Sequence, residues 1–482
     1  MTAAPTISEA RQLERPASVR RALVSLSLSM LLASLGTSIA NVALPTLAEA
    51  FDASFQEVQW VVLAYLLAIT ALVVSAGRLG DIVGRRRLLL VGLATFTTAS
   101  VLCGLAPSLW LLIAARAAQG LGAAILMALT MALISETVPK DRTGSAMGLL
   151  GTMSAVGTAL GPSLGGILIA ELGWEAVFYI NVPLGLLALL LAYHVLPADR
   201  SVPKADRAGF DGLGTLLLAA TLAAYALALT VGRGQLGLTA ALVALIGFSL
   251  FVFVETRVAS PLIRLAALRN PVLSAGLVMN ALVSTVMMAT LVVGPFFLSG
   301  ALGLSAAAVG LVMSVGPVVS ALSGVPAGRA VDSLGTASSI MLGLAMMAIG
   351  SVALALLAAM FDVAGYVAAI VLLTPGYQLF QAANNTAVMR DVGPDQRGTT
   401  SGMLNLSRNL GLITGASAMG AVFAFAAGSS DFATAAPDAV AFGMQITFAV
   451  AASLIIVALG VWMWSYVATE RFSRAMRSGQ EQ

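Results

Sequence analysis

Fourteen apolar stretches follow one another along the chain, at about 22–47, 57–76, 88–106, 109–135, 144–170, 174–196, 211–231, 236–254, 272–298, 305–327, 337–359, 363–388, 398–427 and 441–467. Each is long enough to cross the roughly 30 Å hydrocarbon core of a bilayer as a helix rising about 1.5 Å per residue. With 59% apolar and 10% charged residues, the chain lies far from the roughly 25% charge of a soluble domain. The fold class expected is an all-α polytopic membrane protein.

Charge gives the expected orientation. An even number of crossings places both termini on one side. Of the 25 lysines and arginines, 22 fall on the side that includes the termini. Only Arg233 falls opposite, and Arg116 and Arg408 lie inside spans. Basic connections stay in the cytoplasm, so both ends are expected there, in a bacterial cytoplasmic membrane. The opposite connections carry acids, among them Glu49, Asp52, Glu57, Glu171, Glu175 and Asp362.

Two polar connections, 197–210 and 255–271, isolate a pair of spans in the middle. The expected divisions are a tail at 1–21, a six-helix bundle at 22–196, a linker and two-helix insert at 197–271, a second six-helix bundle at 272–468 and a tail at 469–482. An offset of 254 lays Gly148, Gly157, Gly161 and Gly166 over Gly402, Gly411, Gly415 and Gly420, an internal repeat relating the two bundles. Repeats of this kind build a midplane cavity between halves that rock to give alternating access.

Several function classes drop out. One cysteine, Cys103, and one histidine, His194, leave no disulfide, no Cys-based metal site and no clustered catalytic machinery. No G-x-x-x-x-G-K-[ST] loop is present for ATP drive. The net charge of +3 sits in connections and tails, which speaks of topology and not of nucleic acid. Neither a cofactor nor a metal is expected.

The motifs are concentrated in polar or glycine-rich interruptions. Between the second and third spans lies Gly77-Arg78-Leu79-Gly80-Asp81-Ile82-Val83-Gly84-Arg85-Arg86-Arg87, read as a short basic loop with glycines at both bends. Asp81 can accept from backbone N–H groups at a helix N-terminus, and Arg85 or Arg86 can pair with an acid such as Asp141. Such ties would hold one conformational state; retention of the arginines in the cytoplasm is the simpler role. The fourth span holds Arg116, Gln119, Gly120 and Gly122. An arginine within a span costs at least ~2.5–3.5 kcal/mol unless it is partnered, reaches a water-filled cavity or snorkels.

The fifth span reads Gly157-x-x-x-Gly161-Pro162-x-x-Gly165-Gly166, where small residues permit close helix contact and the proline a bend. The twelfth span offers Gln378, Gln381, Asn384 and Asn385, and the thirteenth Asn405, Arg408 and Asn409. These polar groups either stitch helices together or line a cavity, and Gln381 and Arg408 favour the cavity.

Taken together, G-x-L-x-D-x-x-G-R-R at 77–86, R-x-x-Q-G-x-G at 116–122 and G-x-x-x-G-P-x-x-G-G at 157–166 resemble the signature motifs of the major facilitator superfamily. The six-two-six arrangement is similar to its fourteen-helix drug:proton antiporter branch. The fifth-span motif resembles one found in antiporters and exporters of that superfamily. The resemblance implies a secondary active efflux transporter, a monomer exchanging small amphipathic compounds for protons, with Arg116 and Gln119 near the coupling chemistry. The first span, Leu35-Gly36-Thr37-Ser38-Ile39-Ala40-Asn41-Val42-Ala43-Leu44-Pro45, is similar to a stretch of that branch except that Gly36 replaces an aspartate. None of the 22 acids lies in the middle of a span. A neutral-to-positive cavity touching Asn41, Gln378, Gln381, Asn405 and Arg408 is therefore expected, suited to neutral, zwitterionic or anionic amphiphiles better than to lipophilic dications. The alternative is a dedicated exporter of one such metabolite, or, from another class, a non-transporting membrane sensor.

Overall fold

A computed structural model describes residues 7–137, 143–196, 199, 212–231, 235–257, 268–390, 397–429 and 435–480, and all regular structure among them is helical. The first half contains α1 (Ile7–Val42), short α2 (Leu44–Ala50) and α3 (Phe55–Val58), α4 (Trp60–Val83), α5 (Arg85–Gly104), α6 (Leu109–Thr137), α7 (Thr143–Leu172), short α8 (Ala176–Tyr179) and α9 (Asn181–Val195). The insert is α10 (Gly212–Val231) and α11 (Gln235–Glu255). The second half contains α12 (Pro271–Phe296), α13 (Ala306–Leu334), α14 (Thr336–Met389), α15 (Arg397–Thr414), α16 (Gly420–Ala427) and α17 (Pro437–Gln480).

Thirteen helices among the described residues are long and apolar enough to cross a membrane. One of them, α14, has 54 residues, about 80 Å at 1.5 Å per residue, more than two bilayer cores. It is broken where Phe361 and Asp362 leave helical backbone, Asp362 at φ 49°, so it supplies two crossings and the total is fourteen. Two expected boundaries move. The first span stops at Val42 because Pro45, which has no N–H to continue a helix, instead occupies the opening turn of α2. The 77–87 segment is not a loop: α4 runs to Val83, α5 starts at Arg85, and Gly84 alone is the bend.

The repeat is visible in the packing. α1 runs along α7 and α9, and α4 and α5 both pack on α6; in the second half α12 runs along α15 and α17, and α13 along α14. Gly157 and Gly161 lie against Leu31, Leu35 and Ser38 of α1, while Gly411 and Gly415 lie against Ala281, Ser284 and Met288 of α12. In a bilayer, where lipid tails are as apolar as leucine, such close approach of small residues holds helices together by van der Waals contact.

The halves meet most closely at the end that the charge pattern assigns to the outside. Gly166 of α7 and Gly310 of α13 stand backbone against backbone, so that a Cβ on Gly166 would lie 2.9 Å from the Gly310 Cα. A second contact between the halves is made where Gly420 of α16 faces the side chain of Gln59. The 44–59 cap, fixed by a capping box between Ser54 and Glu57, drives Phe55 between the halves. Its ring meets Phe296 edge-on at 4.7 Å and Phe423 at 5.6 Å. Beside Gly324 and Gly328 of α13 and Gly402 of α15 no atom stands within 4 Å of where a Cβ would be. The halves are closed against each other at the end that carries Phe55, Gly166 and Gly310.

The insert is asymmetric. α10 packs on α4 from the first half and touches α15 and α16 from the second, while α11 packs on α10. Leu238, Leu242, Leu245, Ile246 and Phe248 of α11 are exposed, as expected of a lipid-facing helix.

Candidate functional site

Arg116 is fully buried, and the fold gives it a fixed set of partners. Its Nε donates to the Val61 carbonyl at 2.9 Å, and one terminal nitrogen donates to the Gly36 carbonyl at 3.1 Å and to Gln119 Oε1 at 2.5 Å. Gln119 then donates to Ser100 Oγ at 2.7 Å, whose hydroxyl bonds the Phe96 carbonyl. The guanidinium lies 4.1 Å from the Tyr65 ring centroid, and Tyr65 donates to the Ala33 carbonyl at 2.8 Å. Cation–π contact and fork-shaped donation suit arginine and not lysine. The other terminal nitrogen has no partner among the described residues. Arg116 therefore neither snorkels nor lines an open surface; it ties α1, α4, α5 and α6 into one body.

Gly36 belongs to this knot. A Cβ there would stand 3.0 Å from the Tyr65 hydroxyl and 3.1 Å from Phe96 Cζ. The room an acidic side chain would need is filled by two aromatic rings. Asn41, one turn further, is buried but bonds only its own helix, donating to the carbonyls of Thr37 and Ser38; it is not brought to Arg116.

The 77–87 corner is built differently from its sequence expectation. Gly77 lies in the last turns of α4 with open space beside it. Gly84 has φ +108°, a backbone conformation that suits glycine. Arg85 reaches the Ala132 carbonyl on α6 at 3.5 Å, and Arg86 donates to the Tyr193 carbonyl near the end of α9 at 2.5 Å. The acid on this corner is Asp199: its carboxylate accepts from the backbone N–H groups of Arg86 at 2.8 Å and Arg87 at 3.1 Å. The side chain of Asp81 and all of Asp141 lie outside the described residues. Nothing in the sequence of the connection 197–210 marks Asp199 as the acid that meets this corner.

In the second half the polar residues separate into two groups. Gln378 donates to Ser320 on α13, to its carbonyl at 3.1 Å and also to its hydroxyl, and Asn384 donates to the Gly276 carbonyl on α12 at 3.2 Å. These two stitch helices. Gln381 donates to Tyr377 at 3.1 Å and leaves Oε1 without a partner among the described residues. Asn405 and Arg408 are exposed. At about 100° per residue Asn405 stands half a turn round α15 from Thr414, and Thr414 bonds Tyr225 of α10 at 2.9 Å. Asn405 thus lies on the side of α15 away from the α10 contact, with Arg408 about 60° round the helix from it.

Pro162 and Gly165 complete the α7 ladder. Gly165 rests on Ile39 and Val42 of α1, and the Pro162 carbonyl meets Gly310 of α13. One helix thus packs on its own bundle along one side and closes the seam with the other bundle along the next. Residues 26–416 match the family described as the Major Facilitator Superfamily. The chain belongs to that superfamily. It is a membrane transporter and not an enzyme.

Named relatives agree. The chain is 34% identical over 418 residues to the drug efflux pump JefA of Mycobacterium tuberculosis, covering 84% of this chain and 80% of that one. To the riboflavin transporter RibZ of Clostridioides difficile (strain 630) it is 32% identical over 402 residues, covering 83% and 88%. In fold it is similar to a bacterial homologue of the human lysosomal transporter Spinster solved in an inward-facing, occupied conformation. There the TM-score is 0.68 at 16% identity, over 92% of this chain and 96% of that one.

Proposed function

We propose that this transporter is a secondary active exporter of small amphipathic compounds, working by alternating access as a monomer with both termini in the cytoplasm. Export is supported by the α7 ladder, which resembles the exporter-type motif and whose glycines let the two halves close backbone on backbone at one end. In the orientation that the charge pattern gives, that end is the outer one, so a bundle closed there takes its cargo from the cytoplasm. Proton antiport supplies the drive, through acids at helix ends such as Glu49, Asp81 or Glu136, because no acid lies in the middle of a span.

The cavity favours neutral or anionic compounds. Arg408 is an exposed charge well inside the thirteenth span, and Gly36 leaves no carboxylate opposite Arg116. Arg116 contributes through the shape of the first bundle and not by touching cargo. A second reading, a dedicated exporter of one such metabolite, draws on the same charge pattern and on the likeness to a riboflavin transporter.

The test is charge selectivity in everted vesicles, with riboflavin, fluorescein and ethidium as probes. Replacing Arg408 by glutamine is expected to lower transport of fluorescein about tenfold relative to ethidium, the loss of one charge-assisted contact. An unchanged ratio in Arg408→Gln would remove the arginine from the cavity, and transport of riboflavin alone would select the dedicated reading.

A further inference from the structure

α10 belongs to neither half. α4 of the first half meets α15 and the π-helical turn at Gly415–Met419 of the second, and α10 packs on all three. It therefore lies along a line where the halves join. Where the halves touch directly, at Phe55, the contact is made by the rings of Phe296 and Phe423. A polar link between them runs through α10.

Two side-chain hydrogen bonds fasten this helix, one to each half. Near its start Thr215 bonds Ser75 of α4 at 2.6 Å. About three turns further along, Tyr225 bonds Thr414 of α15 at 2.9 Å. The Thr414 hydroxyl already donates to the Leu410 carbonyl at 2.7 Å, so Tyr225 is the donor. Both bonds are part-buried, where water competes less for the hydroxyls. The π-helical turn that begins directly after Thr414 is a local widening that recurs at functional positions. It packs on α12 of its own half and also on α4 and α10.

Rocking of one half against the other moves α15 relative to α4, and a helix bonded to both cannot follow both. We propose that α10 is a latch across the α4–α15 seam, holding the halves in the state closed at Phe55 through its bonds to Ser75 and Thr414. The two attachments act in series, so the weaker one releases when the halves part and its worth sets the strength of the latch. This role rests on alternating access and is independent of what is carried and in which direction.

Spin labels at exposed Glu49 and Asp438, one on each half, read the state of the full chain in nanodiscs without substrate, with Cys103 changed to serine. Tyr225→Phe removes the donor and keeps the ring, and Ser75→Ala removes a hydroxyl at the other attachment. At least one of these variants is expected to raise the ratio of long to short distances about 2- to 13-fold, the worth of one net hydrogen bond. The variant that does so identifies the end that releases. Thr414→Val breaks the Tyr225 bond from the α15 side and decides where Tyr225→Phe does not fold. A ratio unchanged or lowered in all of them overturns the latch, even where the thermal midpoint falls, because a bond kept in both states stabilises both alike. A single distance in the parent and in every variant would contradict alternating access itself, and the latch with it.

Discussion

Gln59 sets up the sharpest test of how the outer end works. It is buried to 1% exposure in the closed outer seam, and neither its amide nitrogen nor its amide oxygen has a partner among the described residues. The nitrogen occupies the place that a Cβ would take on Gly420, with Phe55 Cε1 3.1 Å from the same point. A buried amide left without partners costs about 1–3 kcal/mol. That cost exists only while the halves are closed around it, since water reaches the amide once they part. Gln59 thus shallows the outer-closed state and keeps it exchangeable. Gln59→Leu, close in volume and without polar atoms, should deepen that state by about 1–3 kcal/mol, a shift of roughly 5- to 150-fold in the open-to-closed ratio. The assay is the distance between spin labels at exposed Glu49 and Asp438, at the outer ends of the two halves, in nanodiscs. The long-distance, outer-open fraction should fall about tenfold, with a parallel fall in turnover if outward opening limits the cycle. An outer-open fraction that is unchanged or larger in Gln59→Leu would refute the reasoning.

Three further substitutions have expected outcomes. Gly166→Val should move the same label pair the other way, because its Cβ meets the Ala306 carbonyl oxygen at 2.6 Å and the Gly310 Cα at 2.9 Å, backbone atoms that can only separate; the outer-open fraction rises. Gly84→Ala should lower the thermal midpoint by several degrees, from about 1–2 kcal/mol of left-handed backbone strain together with its collision with Asp199. Arg116→Lys should destabilise the first half by about 2–4 kcal/mol, since an ammonium cannot reproduce the three hydrogen bonds of the guanidinium. Thermal unfolding of the detergent-solubilised protein reports both, and an unchanged midpoint in Arg116→Lys would show that the knot is not stabilising.

How far the sequence reached depends on the kind of physics involved. Spans are written by long apolar runs, which bilayer thickness constrains, and the glycine ladders are written by spacing; Gly157, Gly161, Gly411 and Gly415 all meet a partner helix. Polar contacts are another matter. Arg116 and Gln119 sit three residues apart and their meeting follows from helix geometry, but Tyr65, Ser100 and the Gly36 carbonyl join them from three other helices. The pairs Asp199 with α5, Tyr225 with Thr414 and Gln59 with Gly420 join positions more than a hundred residues apart, and no local pattern announces them. The segment 77–87 misled for a related reason: its charges and glycines read as a loop, yet arginines at the start of α5 and glycines at the end of α4 are tolerated in helices that end at a membrane face.

The central claim is export driven by a proton gradient from a cavity that lacks a deep carboxylate. Everted vesicles containing the transporter, energised to an acid interior, test it directly by uptake of riboflavin, fluorescein and ethidium with and without a protonophore. The account expects inward accumulation of the neutral or anionic probes that stops when the gradient collapses. Accumulation of ethidium alone, or movement of any probe only in the opposite direction, would contradict it.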